Sequence, residues 1–398
     1  MAVLTDMFGE AFANFDPYRV PSPCYVINRA QLIRNLKALA AIGREADVRI
    51  LLALKAFSCF HVADEIGHYL DGTAASGLYE ARLGRSRFPG EVHTFAPGLK
   101  QADIPDLVEV CDHLILNSLN QYKRFRNDLG KGKDCTLGLR VNPGHREVDN
   151  PLYDPAAPWS RLGVPLEALT PEDLAPFHSL HVHALCDHGL DAFARLLAAL
   201  EDRAGHLLKA VEAVNLGGGL LMTEDGFPRA RLIRTLHDFR ARTGLAVYLE
   251  PGTAVVRHAG ALITEVLDTS RTGGNVAILD ASATCHSPDI IETPYTPDIM
   301  GTDAIDRDNA DDCADDEGVW RLGGPTCLAG DIFGTYRMAT PPKAGDRLMV
   351  LDQAYYTMVK STTFNGTPLP SIAIWDPAED RVDVIRSFDY TDFESRLG

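Results

Sequence analysis

The strongest constraint on the fold is an alternation of short apolar segments with amphipathic ones between residues 29 and 260. Leu32, Leu36 and Leu39 recur at helical spacing in the first amphipathic segment. The apolar segments that lie between such helices are VRILLAL, GTAAS, EVHTFA, HLILNS, TLGLRVN, SLHVHAL, AVNLGGG and AVYLEPG. Strands that alternate with helices pair in parallel, so eight of them predict an α/β chain with a TIM (β/α)8 barrel. A doubly wound open sheet is the alternative.

Beyond residue 260 the pattern changes to strand-like runs separated by turns, which predicts a C-terminal β-domain. These runs are GALITEVLDTSR, NVAILDAS, DRLMVLDQAYY, SIAIWD and RVDVIRS, and PSPCYVIN near the N-terminus is expected to join them as an extra strand. We therefore predict a barrel domain at 29–260 and a β-domain formed by 1–28 and 261–398. Residues 301–318 are acidic and poor in apolar residues, which predicts a solvated or disordered loop.

Charge and composition limit the partners. The 398 residues carry a formal net charge of -17, which argues against nucleic acid or an anionic membrane as partner and is compatible with a cationic small-molecule substrate. No apolar run approaches the roughly 20 residues that span a bilayer. The first residues lack the basic-then-apolar pattern of a signal peptide. The eight cysteines are scattered without a CxxC pair, which predicts a cytoplasmic protein with neither a disulfide framework nor a metal site.

Side chains that can react or bind a ligand stand at the carboxyl ends of the predicted barrel strands, where TIM barrels carry their active sites. Lys55 follows the first strand, Arg140 ends the fifth and His183 ends the sixth. Gly217–Gly219 end the seventh strand and Glu250 ends the eighth. All of them are expected to point into one barrel mouth.

Together these groups match one ligand. A lysine amine forms a Schiff base with an aldehyde. Successive glycines expose backbone N–H groups at close range, which suits a phosphate. A carboxylate keeps a pyridinium nitrogen protonated, and a flat imidazole stacks on an aromatic ring. The ligand with an aldehyde, a phosphate and a pyridine nitrogen is pyridoxal 5′-phosphate (PLP), which we predict as the cofactor.

The segments LALKAFS, HVHALC, NLGGG, LEPG, GGPTCLAGD and AYYTMVKSTTFNG occur in this order over nearly the whole chain. This series resembles the barrel-type PLP decarboxylases that act on ornithine, arginine and diaminopimelate. LDASATCHSPDIIETPYTP and LGGPTCLAGDIFG look like the carboxynorspermidine/carboxyspermidine decarboxylases within that family. The resemblance implies a carboxy-lyase of polyamine biosynthesis that releases norspermidine or spermidine.

The resemblance also implies roles for individual residues. Lys55 would hold PLP, Glu250 would pair with the pyridine nitrogen, and Cys327 or Lys55 would return a proton to the substrate carbon. The cofactor-binding set would be Lys55, His183, Gly217, Gly218, Gly219, Glu250, Tyr356 and Arg140. The substrate-binding set would be Asp289, Glu292, Asp331 and His286. Cys327 and Asp331 would enter the active site of the other subunit of a homodimer.

Three positions depart from the family pattern. Leu328 stands where the ornithine-type enzymes carry an acidic residue, and Thr253 stands where they carry an arginine. The carboxynorspermidine subgroup more often reads EPGE, so Thr253 departs from that pattern as well. Cys186 occupies a position where the wider family tends to have serine. A decarboxylase of another basic amino acid (diaminopimelate, arginine or ornithine) is the first alternative, and a non-catalytic regulatory relative is the second.

Overall fold

The computed structural model describes residues 10–129, 134–148 and 150–398. They form two compact units, of which one is Asn35–Val255 and the other joins the described residues up to Arg34 to Val256–Gly398. The domain limits drawn above stay a prediction, and the first nine residues of segment 1–28 lie outside the described residues. Among the helices in the described ranges, none is long and apolar enough to cross a membrane.

In the described part of the chain the strands are β1 (Cys24–Asn28), β2 (Arg49–Ala53), β3 (Gly72–Ala75), β4 (Glu91–Phe95), β5 (His113–Leu116), β6 (Thr136–Asn142), β7 (Val164–Pro165), β8 (Ser179–His181), β9 (Ala213–Asn215), β10 (Ala246–Leu249), β11 (Gly260–Arg271), β12 (Asn275–Leu279), β13 (Thr302–Ile305), β14 (Val319–Gly323), β15 (Ile332–Met338), β16 (Arg347–Leu351), β17 (Ser371–Asp376) and β18 (Arg381–Arg386).

The α-helices of the same residues are α1 (Arg29–Ala46), α2 (Ala63–Tyr69), α3 (Leu78–Arg87), α4 (Ile104–Val110), α5 (Leu119–Leu129), α6 (Leu190–Leu208), α7 (Arg229–Thr243), α8 (Thr253–Val256), α9 (Ala283–His286), α10 (Asp289–Glu292), α11 (Thr357–Lys360) and α12 (Tyr390–Glu394).

The unit Asn35–Val255 is a closed parallel barrel, as the sequence predicts. Strands β2, β3, β4, β5, β6, β8, β9 and β10 pair in this order, and β10 pairs with β2 to close the ring. All eight predicted strands are present. Leu51, Ala74, Ala213 and Tyr248 form one buried apolar cluster on these strands.

The helices around the barrel bury one face. In α6 the residues Phe193, Leu196, Leu197 and Leu200 are buried, at the i, i+3, i+4, i+7 spacing of an amphipathic helix. Burial of each such side chain contributes roughly 1.5–3 kcal/mol relative to exposure. The helical periodicity in the sequence therefore reports the face that packs on the barrel.

The second unit carries a mixed nine-stranded sheet with the order β13-β15-β14-β12-β11-β1-β17-β18, and β16 also pairs with β11. The predicted strands β1, β11, β12, β16, β17 and β18 are confirmed. β1 lies inside the sheet, antiparallel to β11 and parallel to β17, and all five of its residues are buried. The sequence analysis missed β13, β14 and β15.

The prediction of a solvated or disordered loop at 301–318 was wrong for its first part. Thr302–Ile305 form β13 and pair antiparallel with β15. Backbone hydrogen bonds at a sheet edge hold this strand while its side chains stay largely exposed, so no apolar alternation marks it in the sequence. Further along the segment, Asp311 and Asp316 form ion pairs with Arg321 and Arg337.

Candidate active site

One row of polar side chains crosses four neighbouring barrel strands. In the strand pairing, Arg140 on β6 is opposite His181 on β8, His181 is opposite Asn215 on β9, and Asn215 is opposite Tyr248 on β10. Residues in register on parallel strands point to the same face, and Glu250 follows Tyr248 by two residues. The barrel pairing therefore brings Glu250 to the row that holds His181 and Asn215.

The Glu250 carboxylate is 12% exposed and has a donor on each oxygen. Asn215 Nδ2 donates to Oε1 at 2.7 Å, and His181 Nε2 contacts Oε2 at 3.2 Å. Burial alone would raise the pKa of this carboxyl, but His181, followed by His183 and His93, outweighs burial and holds the pKa well below its usual range. Burial also lowers the pKa of His181, so the neutral ring donates through Nε2. The result is a carboxylate that stays ionised at neutral pH.

Lys55 lies two residues beyond the end of β2, at the same end of the barrel. Its side chain is exposed at the mouth, yet barrel atoms surround it so closely that loss of water lowers its pKa. Glu250 opposes this shift, and Arg140 adds to it. An amine with a lowered pKa is unprotonated more often at neutral pH, which is the form that attacks an aldehyde.

His183 is held as a neutral ring. Its Nδ1 accepts a hydrogen bond from the Gly218 N–H at 2.9 Å, so a neutral ring carries its proton on Nε2. Burial lowers the pKa of His183 well below its usual value, and the charges of Lys55 and Arg140 add to the shift. Arg140 is itself buried, donates to the His183 carbonyl at 3.0 Å and lies over the Phe95 ring at 4.4 Å.

The three glycines after β9 are required for close packing. A Cβ on Gly217 would lie 2.4 Å from His183 Nδ1, one on Gly218 would lie 2.4 Å from the Glu250 carbonyl oxygen, and one on Gly219 would lie 2.2 Å from the Leu185 carbonyl oxygen. The Gly217 N–H donates to Asn215 Oδ1, while the Gly218 N–H is used by His183. Phosphate binding by this turn stays a prediction.

Replacing Gly219 by alanine is expected to lower the free energy of unfolding by roughly 2 kcal/mol, because the added methyl meets backbone and φ is +89°. Urea unfolding measures the loss. Gly189→Ala is the matched control: its φ is −83° and no atom lies within 4 Å of the added Cβ. A loss in Gly189→Ala equal to that in Gly219→Ala would contradict the packing argument.

These barrel residues fit PLP. They combine a lysine amine of lowered pKa, an ionised carboxylate with two donors, a neutral imidazole and a buried arginine. His181 Nδ1 is buried without a hydrogen-bond partner among the described residues, so the row is not a self-satisfied structural network. Lys55, His183, Arg140 and Glu250 are the residues of this unit that would hold the cofactor.

The loop after β14 carries Cys327 in the second unit. Cys327 is exposed, and its N–H donates to Asn365 Oδ1 at 2.9 Å. Asp331 is buried, and its carboxylate accepts from Ser282 Oγ at 2.9 Å and Thr326 Oγ1 at 2.7 Å. Asp331 thus anchors the loop that presents Cys327, a role that the sequence analysis did not predict, and its contact with substrate stays a prediction.

Asp289 and Glu292 share one internal cation. Lys360 Nζ lies 2.5 Å from Asp289 Oδ1 and 2.8 Å from Glu292 Oε2. Burial would lower the pKa of this ammonium, but the two carboxylates raise it. The two acids predicted to bind a substrate ammonium are therefore brought together, with Lys360 already between them.

Tyr356 and His286 also lie in the second unit. Tyr356 has φ 55°, which is rare for a residue other than glycine, and strained residues of this kind cluster at functional sites. Its phosphate contact stays a prediction. His286 is fully buried, and its Nδ1 accepts from the Ser282 N–H at 3.2 Å. Burial lowers the pKa of His286 to about 4, although Pro368 and Asp331 oppose the shift.

The buried neutral His286 predicts acid sensitivity. Because the folded-state pKa lies below that of the unfolded chain, the stability it contributes is present above about pH 6.5 and is lost as the pH falls toward 4. Over that window the unfolding free energy of the wild type is expected to fall by about 3 kcal/mol more than that of His286→Gln. Urea unfolding at stepped pH measures this, with exposed His237→Gln as control. Parallel curves for wild type and His286→Gln would contradict the assignment.

Sequence reasoning missed His181, Asn215 and Lys360. A signal for His181 was present, since it precedes His183 by two residues on a strand and therefore shares its face. Asn215 opens the NLGGG segment. Nothing local marked Lys360, because its partners lie 71 and 68 residues away.

Comparison with known proteins identifies the family. Residues 24–354 match the pyridoxal-dependent decarboxylase family with the C-terminal sheet domain. A carboxynorspermidine/carboxyspermidine decarboxylase of Campylobacter jejuni is 34% identical over 95% of this chain and 99% of the relative. A carboxyaminopropylagmatine decarboxylase of Synechocystis sp. is 36% identical over 95% of this chain and 96% of the relative.

A solved structure gives the same result. The crystal structure of carboxynorspermidine decarboxylase from Campylobacter jejuni complexed with norspermidine superposes with a TM-score of 0.87 at 34% identity. The match covers 95% of this chain and 100% of that one. The resemblance inferred from the sequence is confirmed, and this chain belongs to the PLP-dependent decarboxylases that carry a C-terminal sheet domain.

Proposed function

We propose that this enzyme decarboxylates carboxynorspermidine and carboxyspermidine and releases norspermidine and spermidine. The observation that carries the proposal is the match, over nearly the full length of both chains, with the Campylobacter jejuni enzyme of that name. The acid pair Asp289 and Glu292 supports a cationic substrate, because it already accommodates the ammonium of Lys360. A substrate ammonium would share or displace Lys360 there.

In the proposed mechanism the barrel residues hold the cofactor, which when bound supplies an electron sink for the carbanion left by loss of CO₂. Glu250 keeps a negative charge beside the row of polar side chains, because His181 and Asn215 contact its two carboxylate oxygens. Neutral His183 presents a ring without adding positive charge to the site. The Lys55 amine would hold the cofactor through its aldehyde, and Cys327 or Lys55 would return a proton to the substrate carbon.

The second candidate substrate is carboxyaminopropylagmatine, favoured by the 36% identity to the Synechocystis enzyme. It ends in a guanidinium in place of an ammonium. A planar guanidinium pairs bidentately with a carboxylate, whereas an ammonium is a compact point charge. The position of Lys360 between Asp289 and Glu292 favours a compact ammonium as the native occupant.

Steady-state assays on carboxynorspermidine, carboxyspermidine, carboxyaminopropylagmatine and diaminopimelate test the proposal. We expect the first two to have the highest kcat/KM. One methylene separates them, which alters binding by only about 1–3 kcal/mol. A higher kcat/KM on carboxyaminopropylagmatine would select the second candidate, and a higher value on diaminopimelate would overturn both.

We further propose a cytoplasmic homodimer in which Cys327 and Asp331 complete the active site of the other subunit. Unpaired cysteines at all eight positions support a reducing compartment. The net charge of -17 supports the absence of nucleic-acid and membrane partners. The exposure of Cys327 supports its availability to another subunit.

Mixing inactive Lys55→Ala and Cys327→Ala chains is expected to restore about a quarter of wild-type activity, since half of randomly reassorted dimers are mixed and each has one intact site. Activity is measured after exchange, with exchange itself followed by differently tagged chains. Each variant mixed with itself is the control. Full exchange without recovery would contradict a shared site.

A further inference from the structure

A second group of ligating side chains lies at the opposite end of the barrel from Lys55 and Glu250. β4 begins at Glu91 and β5 begins at His113, so both residues stand at the amino end of the parallel strands. His93 follows Glu91 by two residues and shares its face, and the strand pairing sets His93 opposite His113. The fold therefore brings one carboxylate and two imidazoles together.

The distances within this group suit a metal ion. Glu91 Oε2 lies 3.1 Å from His93 Nε2 and 3.9 Å from His113 Nε2, and the ligating atoms of all three residues lie within 4.8 Å of one another. Tetrahedral Zn²⁺, with bonds of about 2.0–2.1 Å, keeps its ligand atoms roughly 3.3 Å apart. Small side-chain adjustments bring the three atoms to that spacing.

The hydrogen bonds of His113 leave one ring nitrogen ready to ligate. Thr136 Oγ1 contacts both the Asp112 carbonyl oxygen and His113 Nδ1; when the hydroxyl donates to the carbonyl, its oxygen accepts from His113 Nδ1. The proton of a neutral His113 then sits on Nδ1, and the Nε2 lone pair faces the Glu91 carboxylate. Two acceptors that face each other are what a cation bridges, and a hydrogen bond on the second ring nitrogen is the usual way in which a ligating histidine is oriented.

The charge around Glu91 and the solvent access of its side chain agree with a bound metal ion. Arg49 contacts the other oxygen of Glu91, Oε1, and leaves Oε2 to the histidines. The Glu91 side chain is 25% exposed, whereas that of His93 is only 3% exposed. Arg49, which contacts Glu91, also lines a cleft of about 460 Å³ at this end of the barrel.

We propose that Glu91, His93 and His113 bind a divalent transition metal ion such as Zn²⁺, through Glu91 Oε2 and the Nε2 atoms of both histidines. Solvent occupies the remaining coordination position. The ion links the starts of β4 and β5, at the end of the barrel opposite Lys55. The proposal departs from the expectation, drawn from the cysteine spacing, that the chain has no metal site.

Co²⁺ is the probe. Metal-depleted holoenzyme is titrated with CoCl₂, and one equivalent is expected to give visible d–d absorption without a thiolate charge-transfer band. His93→Gln and His113→Gln are expected to weaken Co²⁺ binding at least tenfold, and exposed His237→Gln is the matched control with unchanged binding. Thr136→Val leaves all three ligands in place and is expected to weaken binding through the orientation of His113.

Added Zn²⁺ should displace Co²⁺ and raise the thermal midpoint of the wild type but not that of His113→Gln. The absorbance of bound PLP shows that each variant is folded. The proposal is overturned if wild type takes up no more Co²⁺ than the His93→Gln/His113→Gln double variant, or if the spectrum shows thiolate ligation. A variant that lacks bound PLP is replaced by Thr136→Val, whose unchanged affinity would also count against the site.

Discussion

Replacing Lys55 by alanine is expected to lower kcat/KM by about 1,000-fold or more and to abolish the yellow colour of bound PLP. The physical reason is the loss of the Lys55 amine, whose pKa is lowered by loss of water and which feels the charges of Glu250 and Arg140. Alanine removes both the covalent anchor and the proton-transfer group. CO₂ release measures activity, and the visible spectrum of the purified protein measures bound cofactor.

Lys209→Ala is the matched control, because Lys209 is an exposed lysine at the end of a barrel helix. It should stay yellow and fully active. A Lys55→Ala protein that keeps both its colour and its activity would show that another residue holds the cofactor. If the wild-type protein is colourless and takes up no added PLP, the assignment of the cofactor to these residues is contradicted.

Replacing Glu250 by glutamine is expected to lower kcat by about 100- to 1,000-fold while PLP stays bound. Glutamine keeps the shape of the side chain but removes its charge. Its amide nitrogen would also face a donor from Asn215 or His181, since both oxygens of Glu250 accept hydrogen bonds. A neutral group no longer favours a protonated pyridine nitrogen, so the carbanion loses its electron sink.

Single-turnover decay of substrate separates this loss from weaker binding, because a residue that acts on the electronics of the site lowers kcat more than it raises KM. Glu212→Gln is the control, since that carboxylate is 83% exposed at the start of the neighbouring strand. Unchanged kcat in Glu250→Gln would contradict the pairing of Glu250 with the cofactor nitrogen.

The barrel could be predicted from the sequence because the burial of a strand or helix requires a local pattern of apolar residues. Strands buried on both faces appear in the sequence as continuous apolar runs, and in the helices that cover them apolar residues recur with a period of 3.6 residues. The carboxyl ends of such runs are visible in the chain, so Lys55, His183 and Glu250 could be assigned to one mouth. β13 was not predicted, because pairing at the sheet edge leaves its side chains largely exposed and exposed side chains need no apolar pattern.

Partnerships between distant residues could not be predicted in the same way. The bond from Asn215 to Glu250 spans 35 residues and depends on the parallel register of β9 and β10. The contact of Lys360 with Asp289 spans 71 residues and joins two short helices that carry no periodic pattern. Register and packing are properties of the assembled chain, and a shift of one residue would point each of these strand side chains to the other face.

The sequence by itself determined the strand and helix order of the barrel, the strand ends at which chemistry is placed, and the family of the enzyme. Only the tertiary structure decided which groups hold the Glu250 carboxylate, that Asp331 anchors the Cys327 loop, and that two histidines meet Glu91 at the opposite end of the barrel. The reason is that periodicity encodes which face of each element is buried, whereas the neighbours of that face are set when the barrel closes and its strands take their register.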